Sequence, residues 1–209
     1  LLLALSTSSP FFEGEDTGLY SYRTKIFESL PLAGMPDYLN DWKHFVNLTE
    51  QLQKAGIIKS VKDLWWDVRP HPGFGTVEVR VCDLPINYKE IFALVALIQA
   101  LVVKIKKENP YPDIHTQILQ SNKWQAARYG LEGVFVDPIT IQKLTMRKAI
   151  ENLCDLVEPT LISLGSGKYI KIIEKILKKG TGSNKQRELY SASNNFKHMI
   201  RLLKEQFYQ

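Results

Sequence analysis

Cysteine is scarce in this chain. Cys82 and Cys154 are its two thiols in 209 residues. Two cysteines cannot build a disulfide framework, and without a CxxC pair or a Cys/His cluster there is no zinc-site spacing. A reducing compartment is the simplest reading, with the cytoplasm as the expected location. Long apolar runs are lacking as well. The longest, Ile91 to Val103, is interrupted by Gln99 and is too short to span a bilayer. The opening Leu1-Leu2-Leu3-Ala4-Leu5 has no basic segment before it and is too short for a signal peptide. A chain that starts without methionine on a strand-like run reads as a piece of a longer one. Catalytic signatures are missing too: there is no GxSxG elbow and no HExxH. Gly165-Ser166-Gly167-Lys168 looks like the end of a P-loop, but Ile162 stands where glycine is needed and Tyr169 where Ser or Thr is.

What is present is an ordinary globular composition, 44% apolar and 23% charged, which excludes a disordered or low-complexity polymer. The net charge of +5 raises the question of nucleic acid. The excess sits late, at Lys168, Lys171, Lys175, Lys178, Lys179, Lys185 and Arg187. No aromatic residues are interleaved there as single-strand binding requires, so a solvated helical face is expected, with no nucleic-acid and no membrane partner.

Element signals fall in two groups. Leu1 to Leu5 reads as a short buried strand, followed by a Ser/Pro/Gly-rich loop to Gly18. Asn40-Asp41 offers an N-cap for a helix reaching about Ala55, with Trp42, Phe45, Leu48 and Leu52 recurring at helical spacing and Gly56 as the stop. Leu64 to Arg69 and Thr76 to Cys82, separated by Pro70-His71-Pro72-Gly73-Phe74-Gly75, read as an antiparallel hairpin. The rest is helical: Asn87 to Lys107 as a buried core helix, then about Asp113 to Arg128, Thr145 to Leu164, Lys168 to Lys179 and Lys185 to Phe207. Gly180 to Asn184 reads as a flexible connector. Strands and loops first, helices after, make an α+β arrangement.

The hairpin carries the most chemistry. Side chains alternate across a strand, so Val77, Val79 and Val81 share a face fit for a core, while Thr76, Glu78, Arg80 and Cys82 share the other. On the preceding strand Trp65, Asp67 and Arg69 fall together. If the polar faces align, one surface carries two carboxylates and two guanidinium groups. That is either a salt-bridged sheet face or an anion and metal site, with Glu78 as a hard oxygen ligand for Mg²⁺ and Arg69 and Arg80 clamping phosphate or carboxylate oxygens. Two further candidates are Arg128, at a helix end before Gly130, and the loop with Ser6, Ser8 and Ser9, followed by Arg23. The first equally caps helix carbonyls, and the second equally makes ordinary Ser/Thr turns. Of the four histidines, only His71 lies beside the charged hairpin.

Three segments, in this order, resemble a known family: Ala4-Leu5-Ser6 to Gly18, Trp66-Asp67-Val68-Arg69-Pro70 through Gly75-Thr76-Val77-Glu78-Val79-Arg80-Val81-Cys82-Asp83, and Asn122 through Trp124 to Arg128-Tyr129-Gly130-Leu131. They are similar to the C-terminal half of the type 2 glutamate–cysteine ligases, the YbdK-like carboxylate–amine ligases. The match runs to about residue 165, and the Lys-rich tail carries no motif of its own. The resemblance implies a glutamine-synthetase-like catalytic fold, an antiparallel sheet with helices packed on one face. Residues 1–209 would then be the C-terminal part of one catalytic domain, with 1–83 as its strand and loop part and 87–209 mainly helical. It implies ATP and Mg²⁺ as cofactors, and glutamate and a small amine such as cysteine as substrates joined through an acyl phosphate. Carried over, Glu78 would be a Mg²⁺ ligand, Arg69 and Arg80 catalytic, and Ser6, Ser8, Ser9, Arg23 and Arg128 substrate- or nucleotide-binding. The family's first half has no counterpart here, so the chain alone is expected to be silent and completed by that half, as a homo-oligomer. The alternative is a non-catalytic binding or assembly module that keeps the fold.

Overall fold

The computed structural model describes residues 1–108 and 114–208. In chain order the elements are α1 (Leu2–Ser6), β1 (Phe11–Phe12), β2 (Glu15–Asp16), α2 (Tyr22–Glu28), β3 (Ala33–Gly34), α3 (Trp42–Lys54), β4 (Trp65–Trp66), β5 (Val68–His71) and β6 (Thr76–Val79). There follow α4 (Tyr88–Glu108), α5 (Thr116–Tyr129), β7 (Val134–Val136), β8 (Lys143–Thr145), α6 (Met146–Ser163), α7 (Ile170–Lys179), α8 (Gly182–Ser193) and α9 (Phe196–Gln206). The class is α+β. The described strands form two-stranded ribbons, antiparallel except for the parallel pair β3–β4. The chain divides into two compact units, Leu1–Tyr22 with Asp83–Gln209, and Arg23–Cys82.

In the unit Arg23–Cys82, Asp41 caps α3 as its spacing requires, its side chain accepting from His44 N–H at 2.7 Å. The apolar stripe of α3 buries Phe45 in a small core with Ile58, Leu64 and Trp66. The expected long strand from Leu64 is split. Trp65 and Trp66 pair in parallel with Ala33 and Gly34, and only Val68–His71 turns back on Thr76–Val79. The valine face is not a core face either, since Val77 is 58% and Val68 43% exposed. Alternation tells which residues share a face but not whether that face is covered.

In the other unit, α4 packs against α6 and α7, and α1 against α5 and α7. Leu5, Leu97, Leu131, Met146, Ile150, Val157 and Leu161 are fully buried there. Leu1 to Leu5 is not a strand but most of helix α1. Leucine and alanine are strong helix formers and no β-branched residue interrupts them, and burial of Leu3, Ala4 and Leu5 holds a helix too short to stand alone. The long apolar helix is α4, but it is buried on one side: Ala93, Leu94, Leu97 and Ala100 are inside while Phe92, Val95 and Val102 are about half exposed. Among the described residues no helix is long and apolar enough to cross a membrane. The start of the next helix at Asp113 lies outside the described residues, and α5 begins at Thr116. Lys185 to Phe207 is two helices, because Asn194 adopts the left-handed conformation at φ 48° and Asn195 caps α9, roles that asparagine tolerates well.

The Gly180 to Asn184 segment is a packed joint rather than a flexible connector. Thr181 and Ser183 are buried, Thr181 caps α8 reciprocally with Asn184, and the Ser183 amide donates to the Thr7 carbonyl at 3.0 Å. Polar residues of loop composition become buried when each has a partner.

Candidate functional site

Two polar clusters hold the residues singled out above, each inside its own unit. The first is on the β5–β6 ribbon. The register sets Arg69 directly opposite Glu78, which brings their side chains within reach on one face. Arg69 is 4% exposed. Its Nε and Nη2 donate to Glu78 Oε2 at 3.1 and 2.5 Å. Its Nη1 donates to the carbonyls of Val61, Lys62 and Leu64 at 3.2, 2.8 and 2.9 Å. Nearly all of the guanidinium is thus spent on the protein. These hydrogen bonds, ahead of the charges of Arg69, His71 and Arg80, hold the Glu78 carboxyl below its usual range. Glu78 is therefore an anion at neutral pH, and its Oε1 has no protein partner among the described residues.

Arg80 lies on the same face. Its Nη1 is 3.5 Å from Glu78 Oε2, and its guanidinium sits 5.7 Å from the Trp65 ring centre. Its Nε is buried and donates to nothing. A buried N–H without an acceptor is rare in proteins and points to a group that binding would supply. His71 Nδ1 is in the same state, while its ring stacks on Phe74 at 4.5 Å. Arg23, on α2, donates from Nη2 to the Arg80 carbonyl at 3.2 Å and lies over the Phe27 ring at 4.4 Å. The ribbon thus gathers Arg69, Glu78, Arg80, His71 and Arg23.

The second cluster is organised by Asp83, 3% exposed, a residue that received no role in the sequence reading. Its Oδ2 accepts from Ser8 N–H and Ser9 Oγ, both at 2.8 Å, and its Oδ1 from Ser21 Oγ at 2.9 Å. Its own amide donates to Ser6 Oγ at 3.2 Å, and Ser6 Oγ donates to the Leu3 carbonyl. The serine loop is therefore a web drawn around one buried carboxylate. From the other side α8 grips it: Gln186 Nε2 donates to the Ser8 carbonyl and Oγ at 2.7 and 3.1 Å, and Thr181 Oγ1 is 2.8 Å from Thr7 Oγ1. Ser183 Oγ donates to the Tyr20 carbonyl at 2.5 Å. The fit is close enough that a Cβ on Gly182 would lie 2.6 Å from Ser8 Oγ. Arg187 makes a two-pronged pair with Asp16, both contacts at 2.8 Å. Those bonds, ahead of the Gly18 amide, hold the Asp16 carboxyl down. Arg128 Nη1 donates to the Gly18 carbonyl, at the end of α5. There Gly130 has φ 56°, and a Cβ would meet the Tyr20 ring at 2.5 Å, so only glycine fits.

Mg²⁺ takes about six oxygens in near-octahedral array. Among the described residues no three His, Cys, Asp or Glu side chains come together as a metal site. Glu78 Oε1 is one available oxygen, so the described residues do not make a Mg²⁺ site by themselves.

The model of "Glutamate-cysteine ligase family 2(GCS2)" matches residues 1–205. The chain is 43% identical over 199 residues to a protein of Gloeobacter violaceus, covering 93% of this chain and 54% of that one. It is 36% identical to one of Solibacter usitatus, covering 95% and 53%, and 35% identical to one of Sorangium cellulosum, covering 98% and 56%. Each of the three is named "Putative glutamate--cysteine ligase 2". The chain spans about half the length of the curated relatives it matches.

Proposed function

Since the chain belongs to glutamate-cysteine ligase family 2, we propose that it is the C-terminal part of an ATP-dependent carboxylate–amine ligase that makes a γ-glutamyl amide. The observation that carries this reading is the β5–β6 face. There an ionised carboxylate with one open oxygen and an arginine with a buried, unanswered Nε–H stand side by side. Phosphoryl transfer asks for little more than positioning and charge neutralisation, which such a face supplies. In the reaction, a γ-carboxylate oxygen of glutamate bonds to the γ-phosphorus of ATP as the bond to the departing ADP oxygen breaks. The acceptor amine then attacks the acyl carbon, the bond to phosphate breaks, and the amine's proton passes to solvent.

Arg80 is the residue that holds the transferring phosphoryl group, through Nε. Arg69 keeps Glu78 ionised and aimed. Glu78 would offer one oxygen to the Mg²⁺ that accompanies ATP, whose charge would offset that of the phosphates. The rest of the metal's ligands would have to come from outside the described residues. Arg23, Arg128 and the loop with Ser6, Ser8 and Ser9 serve substrate or nucleotide, with Asp83 and Gln186 fixing the loop. The same reading includes a glutamine-synthetase-like sheet completed by that other half, a single catalytic domain across both halves, a homo-oligomer, the cytoplasm, and no turnover by this chain alone. A second reading, a non-catalytic module with the same fold, is favoured by the near-complete engagement of Arg69 with its own protein.

ADP release decides between them. With Mg-ATP, glutamate and cysteine, the full-length protein should turn over only when both co-substrates are present, and this chain should be silent. Arg80→Lys and Glu78→Gln should abolish turnover while leaving the circular dichroism unchanged. Normal rates in either variant would remove that residue from the mechanism, and no ADP release with any amine would leave the binding-module reading.

A further inference from the structure

The lysine-rich tail, to which neither the motifs nor the proposed reaction gives a role, encloses a cavity of about 490 Å³. That volume is in the range of small-molecule sites. Its wall is built from α4, α7, α8, the α7–α8 joint and the end of α9, and it carries Lys175, Lys179, Lys185, Glu90, Glu188 and Thr181. Lys175 and Lys179 are one helical turn apart on α7 and so share a face. Lys185 approaches from α8.

A lysine-bearing helix usually faces open water, and Lys171 and Lys178 on α7 do not line the cavity. The three that do outnumber the two carboxylates of the wall, Glu90 and Glu188. Lys185 is paired with Glu188 at 2.8 Å. Lys179 makes no hydrogen bond or ion pair among the described residues. Lys175 has Glu90 as its electrostatic partner, but burial outweighs that attraction and raises the Glu90 carboxyl to about 6. The wall thus sets three lysines against two carboxylates around a concavity and leaves Lys179 unpaired among the described residues, a net positive charge that a bound anion would complete. The type of cation narrows the ligand. Planar carboxylates are matched by the arginine fork, and no arginine lines the cavity. Lysine acts as a mobile point charge suited to phosphate. Asn87 and Thr181 add polar atoms to the wall.

We propose that this cavity is a binding site for a small phosphate-bearing molecule, held by Lys175, Lys179 and Lys185. It shares no residue with the Arg80 face and does not depend on the ligase reading. Thr181 lies in its wall and also bonds Thr7, so a ligand there touches the residue that anchors the serine loop.

The test is calorimetric titration of the chain with pyrophosphate at physiological ionic strength. Saturable binding at this site is expected, weakened about tenfold by Lys179→Gln and further by adding Lys175→Gln, and retained by Lys179→Arg. Arg80→Gln, run alongside, should leave that binding intact. Both lysines are exposed, so thermal melting should not change in the variants. Absence of saturable binding, or binding that survives the double lysine substitution, would overturn the proposal. So would binding lost in Arg80→Gln alone, which would place the pyrophosphate on the hairpin instead.

Discussion

Replacing Arg69 with methionine should damage the fold of the Arg23–Cys82 unit far more than its position on a charged hairpin face suggests. Methionine keeps much of the buried stem volume but removes every donor. The Leu64 carbonyl, whose bond to Nη1 is buried, is then left unsatisfied at a cost of about 1–3 kcal/mol. The Val61 and Lys62 carbonyls are half-exposed partners and recover some water, so each adds only about 0.5–1 kcal/mol. Glu78, released into solvent, adds nothing to that sum. The total is about 3 kcal/mol, a large part of the stability of any small unit. The assay is urea unfolding followed by tryptophan fluorescence, since Trp42, Trp65 and Trp66 all lie in this unit. Glu78→Gln is the control, because it leaves all three carbonyl bonds in place and should shift the midpoint much less. If Arg69→Met cost under about 1 kcal/mol, or no more than Glu78→Gln, Arg69 would not be the brace described here.

Other outcomes follow from single contacts. The Glu90 carboxyl is raised from 4.5 to about 6 by burial, so its stabilising protonated form is fully present below about pH 4.5 and is lost as pH rises through about 6. The loss is at most about 2 kcal/mol, and Glu90→Gln should flatten that part of the stability–pH curve and be the more stable protein at pH 7.5. Gln186→Ala removes both side-chain bonds to Ser8 and should speed hydrogen exchange of the Ser8 amide about fivefold, for a bond of about 1 kcal/mol. Unchanged protection there would mean that α8 does not hold the loop. Asn194→Ala, at φ 48°, should cost about 1 kcal/mol in thermal unfolding, whereas Asn194→Gly should be neutral or slightly stabilising.

The parts of the fold that could be read from the sequence are those whose cause is local. Asp41 before an apolar 3.6-residue stripe is a helix start wherever it occurs, and α3 begins there. Thr145 caps α6 for the same reason, its side chain accepting from the Lys148 amide. Where local signals conflict, the reading fails in an instructive way. Leu1 to Leu5 shows neither the alternation of a strand nor the length of a helix, and its state is decided by α5 and α7 packing around it. Ser193-Asn194-Asn195 sits inside a long helical pattern, and only the backbone turn at Asn194 separates α8 from α9. The double tryptophan reads as the start of the hairpin because nothing in its composition reveals that its partner is Ala33–Gly34.

The candidate sites divide on the same principle. Arg69 and Glu78 could each be put on a polar strand face because alternation fixes which side chains share a face. Their pairing could not be read, because the sequence ends the first strand at Arg69 and the strand runs on to His71. Asp83 could not be given its role, because its partners Ser8, Ser9 and Ser21 are more than sixty positions away. The α8 residues Gln186 and Arg187 lie farther still from Ser8 and Asp16. In composition those two belong to a lysine-rich solvated helix, and in the fold they brace the loop. A charged tail thus looks alike to a reader of the sequence whether its side chains face water or grip a distant loop. Only the difference between Lys178, which is exposed and absent from the cavity wall, and Arg187, bound in two prongs to a carboxylate held below its usual range, tells the two kinds apart. For the proposed ligase this means that substitutions at Gln186 and Arg187 should act as though made in the serine loop itself. They should raise the KM of whichever substrate that loop serves, with kcat little changed, whereas Lys178→Gln should alter neither.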